Sequence, residues 1–466
     1  MNPEQIVRQA TTKSSLQIWK LLLIGFLVLI LMLPAAWIMS LVRERNQRKD
    51  SVVAEIAGKR GGAQLVSGPF ISVPYEVLEK SRDQYGKEIS VSATKYLHLA
   101  PDSLKINGNV QGETHQRGIY EVSGYKSGLR LRAVFLSAGS PDPIYQNLPL
   151  RWNEALVSFD LSDQRGMKDL QADLNGQALL FNRSEGVLTV SGVPTAEATK
   201  GIPERPKFAP EEVKDTAFQL AARVPESIQG KDLALELQMH LTGTQRLSFT
   251  ASALQEDVYL TGDWLAPSFI GDALPEIRSV TDSGFDAAWR TNKLSSGVKK
   301  AWTSDEPLPQ LSQLGVDFLI TADSYQQTTR ALKYCVMFLL LTFMTFWLAE
   351  IKTRQRIHPI QYLMVGCALL VFYLLLLSIS EHLAFGWAYL IAAVAAILQI
   401  SLFCFSILKS RKFAVQVGIL LSFLYAFLYV LLQLQDSALL VGSVSLFVLP
   451  SVAMYIIRNI NWYSQD

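Results

Sequence analysis

Residues 21–41 read LLLIGFLVLILMLPAAWIMSL, an uninterrupted run without a charged side chain. At about 1.5 Å of rise per residue, such a run crosses a hydrocarbon core of about 30 Å as a helix. It is the first membrane span. A cleavable signal peptide has a shorter apolar region, about 7–15 residues, followed by a small-residue cleavage site. Here Arg43, Glu44 and Arg45 follow directly, so the run is read as an uncleaved anchor.

Beyond the anchor the chain turns polar, and from residue 331 it returns to apolar runs at 334–349, 361–380, 384–408, 413–434 and 438–457. The short connections alternate in charge. Lys352, Arg354 and Arg356 fill one, Glu381 and His382 the next, then Lys409, Arg411 and Lys412, then Asp436, then Arg458. Positive charge in short loops stays on the cytoplasmic side. Both termini, residues 1–20 and 459–466, are therefore expected inside, and the 42–330 insert outside. Arg43, Arg45, Arg48 and Lys49 outnumber Arg8, Lys13 and Lys20 around the anchor, against this orientation. They open a long translocated segment, however, where the rule weakens.

Composition agrees with a mixed protein. The 466 residues are 49% hydrophobic and 18% charged, with a mean hydropathy of +0.20. The formal charge of +2 is too balanced for nucleic-acid binding. Cys335, Cys367 and Cys404 all lie in apolar runs, so the insert has no thiol for a disulfide or a zinc site. The fold class expected is a membrane α-helical bundle of about six spans, one N-terminal and five C-terminal (residues 331–458), with a large β-rich periplasmic domain inserted between spans one and two. That insert opens with a helical stalk, about Arg45 to Lys59, in which Val52, Val53, Ile56 and Ala57 recur at helical spacing. GPFISVPYEVL (68–78), EISVSATKYLHL (88–99), LRLRAVFL and DLALELQMHL then alternate with period two, as antiparallel strands do. Exposed connections are expected at Ser140 to Pro143 and Pro203 to Pro210, with a subdomain boundary near residues 200–212.

GPFISVPY (68–75), GDWLAPSFIGDALPEIRSVTDSGFDAAWR (262–290), DSYQQTTRALKY (323–334), HPIQYLMVGCALLVFYLLLLSISEH (358–382), DSALLVGSVSLF (436–447) and the terminal NWY (461–463) together resemble the CreD family of bacterial inner-membrane proteins. The resemblance follows the chain in order over nearly its whole length. It implies a Gram-negative inner membrane, a role in cell-envelope integrity, and envelope stress under a two-component system, with links to colicin tolerance and β-lactam response. It brings no catalytic motif.

His98, His115, His240, His358 and His382 are scattered without HExxH spacing, and no GxSxG elbow, Walker A loop or strand-borne GxGxxG occurs. No metal or cofactor is expected. The informative polar residues border the outer surface: Asp323, Tyr325, Gln326 and Arg330 before span two, Glu381 and His382 after span three, Asp436 and Ser437 between spans five and six. They are the candidate outer-rim cluster, against the plainer reading that short outer loops are simply solvated. Tyr362, Tyr373 and Trp387 read as belt or packing aromatics. Within the spans polar groups are mild: Ser378, Gln399, Ser401, Gln416, Gln433 and Ser443, with Gly366, Gly418 and Gly442 suited to close packing. Ion-coupled transporters keep carboxylates at depth, so a transporter or flippase for a lipid or peptide is the second reading and a membrane-embedded enzyme using Glu381, His382 and Asp436 the third. The leading one is a non-enzymatic envelope protein whose partners are the bilayer and an envelope component or membrane protein.

The orientation is tested by single cysteines at positions 201, 354 and 412 in a chain lacking the three native ones. In intact spheroplasts an impermeant thiol reagent is expected to label position 201 alone, and rapid labelling at 354 contradicts the topology.

Overall fold

The computed structural model describes residues 3–82, 88–136, 145, 147–184, 218–226, 232–307, 309–318, 324–353, 357–408, 411–434 and 444. The chain forms two compact units: Met1–Lys49 with Ala322–Asp466, and Asp50–Thr321.

In the first unit, α1 (Pro3–Arg60) carries an apolar seam. Val28, Leu31, Ala35, Ile38 and Val42 are buried at alternating three- and four-residue steps, the spacing that keeps one helix face against its neighbours. Trp19, Phe26, Leu29, Leu33 and Trp37 occupy the exposed face, where lipid would lie. After α2 (Lys293–Ser296), which belongs to the other unit, come α3 (Ser324–Lys333), α4 (Cys335–Thr353), α5 (Pro359–Ser380), α6 (Phe385–Leu408) and α7 (Arg411–Gln433). Among the described residues four helices are long and apolar enough to cross a membrane, and α3 with α4, bent by 45°, makes a fifth if the pair is one span. The sixth expected run, 438–457, lies outside the described residues apart from Val444. His358 caps α5, accepting from the Ile360 N–H at 3.3 Å, with Pro359 at the first helical position.

Lipid tails are as apolar as leucine, so helices associate in a membrane through close packing rather than hydrophobic exclusion. The small residues are placed accordingly. On α6, Ala388, Ala392 and Ala396 are buried at four-residue steps, while Trp387, Leu390, Val394, Leu398 and Leu402 are exposed. Gly366 on α5 receives Leu31 of α1 and Phe343 of α4: a Cβ there would stand 2.2 Å from Leu31 Cδ1 and 3.0 Å from the Phe343 ring.

Among the described residues the second unit has seventeen strands: β1 (Gln64–Arg82), β2 (Glu88–Leu99), β3 (Ser103–Arg117), β4 (Tyr120–Phe135), β5 (Leu156–Leu161), β6 (Met167–Leu174), β7 (Gln177–Ala178), β8 (Asn182–Ser184), β9 (Phe218–Arg223), β10 (Leu233–Thr244), β11 (Arg246–Thr250), β12 (Gln255–Gly262), β13 (Pro267–Gly271), β14 (Ile277–Thr281), β15 (Gly284–Asn292), β16 (Ala301–Thr303) and β17 (Gln313–Phe318). One sheet runs β13-β17-β11-β1-β5-β9-β8, with β2 joining β1 to β16. The other runs β14-β15-β12-β3-β4-β10-β6-β7. Their inner faces meet in one apolar core, where Phe318 of the first sheet lies 4.9 Å from Tyr125 and 6.5 Å from Phe285 of the second, ring centre to ring centre. Along β3, β10, β12 and β15 buried and exposed residues alternate, which is the pattern of sheets with one face on the core and one on water.

Three expectations change. The pairing is antiparallel except that β1 with β11 and β3 with β12 are parallel. Those pairings interleave strands from before and after residue 212, so the described strands form one unit rather than two subdomains. The insert also ends sooner than residue 330, because Ser324–Lys333 is helical and belongs to the other unit. Ser140 to Pro143 and Pro203 to Pro210 lie outside the described residues.

α1 ends at Gly61, whose φ of +105° favours glycine, and whose N–H donates to Ala57 O at 2.9 Å. The close approach of Gly166 and the Thr242 carbonyl, each 2.8 Å from where a Cβ would stand, also excludes a side chain here.

Gly366→Val is expected to destabilise the helical unit by about 1–3 kcal/mol through overpacking. Leu31→Ala should recover part of that loss, since neighbours in contact are non-additive. Thermal loss of monodispersity in detergent reads both, and strictly additive effects refute the contact.

Candidate functional site

Two carboxylates of the helical unit each gather a cation and a tyrosine hydroxyl. Glu381 is the C-cap of α5, and its side chain is only 13% exposed. The Tyr325 hydroxyl on α3 donates to Glu381 Oε1 at 3.3 Å, and Arg45 Nε of α1 lies 3.7 Å from the same oxygen. Tyr325 is held there because it shares the buried face of α3 with Thr328, Ala331 and Leu332. Glu350 of α4 is 12% exposed. It pairs with Lys20 of α1, and the Tyr362 hydroxyl of α5 lies 3.4 Å from its second oxygen.

The two sites have the same composition: a carboxylate, a tyrosine hydroxyl and a cation from α1. Lys20 and Arg45 are 25 residues apart, about 38 Å of helix, which suits the two boundaries of a bilayer. Carboxylates at such boundaries lose hydration, and a cation with a hydrogen-bond donor restores part of what is lost.

The outer-rim cluster expected from sequence is therefore assembled differently. Tyr325 and Glu381 are brought together, but the cation is Arg45. Arg330 is half-buried on α3 and forms no ion pair with Glu381. Gln326 is exposed, as is His382, whose backbone N–H donates to Ile379 O at 3.0 Å. Asp323, Asp436 and Ser437 lie outside the described residues. The second carboxylate site went unread. Its signal was present in Glu350, the lone acid closing an apolar run, and in the two cations bracketing the first span.

Two ionisable groups lie deep in the second unit, His98 and Glu256. His98 on β2 is 1% exposed, with Nδ1 2.9 Å from Ser72 Oγ, also buried. Both atoms are closed to a substrate, so the pair is a core hydrogen bond rather than a nucleophilic dyad. Burial pushes the His98 imidazole down to about 4. Glu256 on β12 is 1% exposed and accepts the Ser252 N–H at 2.7 Å, while its other oxygen is buried without a partner among the described residues. Desolvation pushes its carboxyl up to about 8. Among the described residues no group of three His, Cys, Asp or Glu could hold a metal ion.

Apolar helices joined at both ends by ion pairs, together with a large two-sheet unit, define a multi-span membrane protein with a substantial β insert. A family model described as Inner membrane protein CreD matches residues 17–463. The chain is 30% identical over 455 residues to the Inner membrane protein CreD of Escherichia coli (strain K12), covering 96% of this chain and 94% of that one. It belongs to the CreD family of inner membrane proteins. Among solved structures, the M1 zinc metallopeptidase from Deinococcus radiodurans aligns with 47% of this chain and 42% of its own at 11% identity and a TM-score of 0.19. A mutant of that peptidase gives the same coverages at 12% identity and a TM-score of 0.20. Likeness at that level carries no argument about fold or activity.

The buried pair sets a pH dependence. His98, depressed from 6.5 to about 4, contributes stability that is present above 6.5 and lost as pH falls toward 4. Glu256, raised from 4.5 to about 8, contributes stability that is present below 4.5 and lost as pH rises through 8. Between 4.5 and 6.5 the two slopes oppose each other, and above 6.5 only Glu256 acts. Strand-amide hydrogen exchange is expected to show the β unit losing about 2 kcal/mol between pH 6.5 and 8. Glu256→Gln should abolish that loss, and an unchanged slope in the variant would reject the assignment.

Proposed function

We propose that this protein is a non-enzymatic component of the inner membrane that supports cell-envelope integrity and the envelope-stress response, with its β unit on the periplasmic side binding or sensing an envelope component. In this reading α1 carries the state of the β unit to the helical unit. Two-component control of expression, which the family resemblance implies, suits a protein needed under stress.

The observation that carries the reading is the fastening of α1. As far as Lys49 it belongs to the helical unit, where Arg45 pairs with Glu381. Its last turns belong to the β unit. There Glu55 pairs with Arg117, Arg165 Nη1 donates to Gly58 O at 2.8 Å, and Thr242 Oγ1 donates to Arg60 O at 2.9 Å. A helix fastened along its length has few soft dihedrals with which to absorb a displacement. Glu381 is engaged by Arg45 and Tyr325 rather than by His382, which favours anchoring over acid–base chemistry.

Ser51 lies between the two fastened stretches of α1. Proline inside a helix removes a hydrogen bond and costs about 3 kcal/mol or more. Ser51→Pro is expected to lose protection under envelope stress at normal membrane abundance, in a strain carrying only the variant, while Ser51→Ala keeps it. Full protection by Ser51→Pro at equal abundance would sink the coupling.

A further inference from the structure

The ends of β3 and β12 and the β14–β15 hairpin enclose an open cleft of about 370 Å³ on the outer face of the second sheet. Asn109, Thr261 and Asp286 stand side by side in it, because Thr261 is in register with Asn109 on one side and Asp286 on the other. Gln111 stands one step further along β3 on the same face. These four side chains are exposed and form no side-chain hydrogen bond or ion pair among the described residues. On the same outer face Arg290 pairs with Asp257 at 2.9 Å and Arg132 with Glu236 at 3.4 Å, and His240 lies 3.9 Å from Asp169.

The lining restricts what the cleft can take. It holds Asp263 and Asp286 and no lysine or arginine, which disfavours anions. Its apolar side chains, Val110 and Phe285, are 1% and 3% exposed, so an apolar ligand finds no surface. A metal is poorly served, since only two carboxylates are present and Asp263 Oδ1 already accepts the Gly112 N–H at 2.6 Å. What fits amides, hydroxyls and carboxylates in a row is a neutral molecule presenting many hydroxyls. Strands are spaced about 4.8 Å apart, close to the length of one sugar ring. Tyr259, two residues before Thr261 on the same face, is 46% exposed and offers an aromatic ring beside the row. The C–H face of a pyranose stacks on such a ring.

We propose that this cleft binds a neutral saccharide chain, with Asn109, Thr261 and Asp286 bonding its hydroxyls and Tyr259 stacking on a ring. The proposal deepens the binding role given above and rests on it for its biological meaning. Neutral sugars in an envelope carry N-acetyl groups or hydroxyls alone, and two probes separate these.

The full chain in lipid nanodiscs, free of glycoside detergent, is titrated with chitotetraose and with maltotetraose by calorimetry. Saturable binding of at least one is expected, weakened about tenfold by Asp286→Ala and by Tyr259→Ala, since a lost charged hydrogen bond or stacking surface is worth roughly that factor. Glu236→Ala, outside the cleft, should bind as the parent does. No binding of either sugar, binding of calcium chloride alone, or sugar binding untouched by both cleft variants overturns the assignment. Envelope survival separates the two claims. Sugar binding by the parent, with full protection by the double cleft variant, keeps the site and overturns its role. Absent sugar binding, with protection lost in that variant, overturns the saccharide and keeps a binding role.

Discussion

Two carboxylates placed against apolar helices set the terms for the helical unit. Glu350 and Glu381 are nearly shielded, and each meets a cation of the same helix, Lys20 and Arg45. An ion pair in such surroundings adds little net stability over an apolar pair, yet removing one partner leaves an uncompensated charge. The arrangement therefore acts on register more than on stability. Lys20 and Arg45 are 25 residues apart, close to seven helical turns, so both project from one side of α1. The seam from Val28 to Val42 lies between them. Sliding α1 by a turn would break both pairs and misplace Leu31 against Gly366.

What the sequence disclosed follows the range of the forces involved. The uncharged run at 21–41 needs no partner to be recognised, because span length and backbone satisfaction are local demands. The alternation in EISVSATKYLHL likewise defines β2 over the same twelve residues. Pairing is different. Nothing within QLVSG or RLSFT states that Gln64 lies beside Leu247 in a parallel ladder, since alternation fixes a face and not a neighbour. The division expected near residue 200 fails for the same reason. The polar cluster was legible in its carboxylate and tyrosine, Glu381 and Tyr325, whereas Arg45 reads naturally as a topological flank and shows its role only when distant elements are brought together. The cleft was hidden more deeply. The string GDWLAPSFIGDALPEIRSVTDSGFDAAWR carries much of it, but Asn109 and Gln111 come from β3, and unpaired capacity is visible only after every pair has been drawn.

The β unit distributes polarity unevenly between its faces. Inside, burial favours the neutral forms of His98 and Glu256. Outside, Arg290 with Asp257 and Arg132 with Glu236 match charge across neighbouring strands, which contributes modestly at an exposed surface. A cleft lined by amide, hydroxyl and carboxylate groups, with no lysine or arginine, discriminates by geometry more than by long-range attraction.

The two parallel ladders also order events in time. β1 waits for β11, and β3 waits for β12, and in each case more than a hundred residues must be synthesised between the partners. Hairpins such as β3–β4 can close early, but neither sheet can be completed until the second half of the insert has emerged. During that interval the first strands present unpaired edges while α1 is already an apolar helix awaiting the later spans. Synthesis thus exposes a nascent chain with open strand edges and an unaccompanied anchor, a stage at which assistance in folding would matter most.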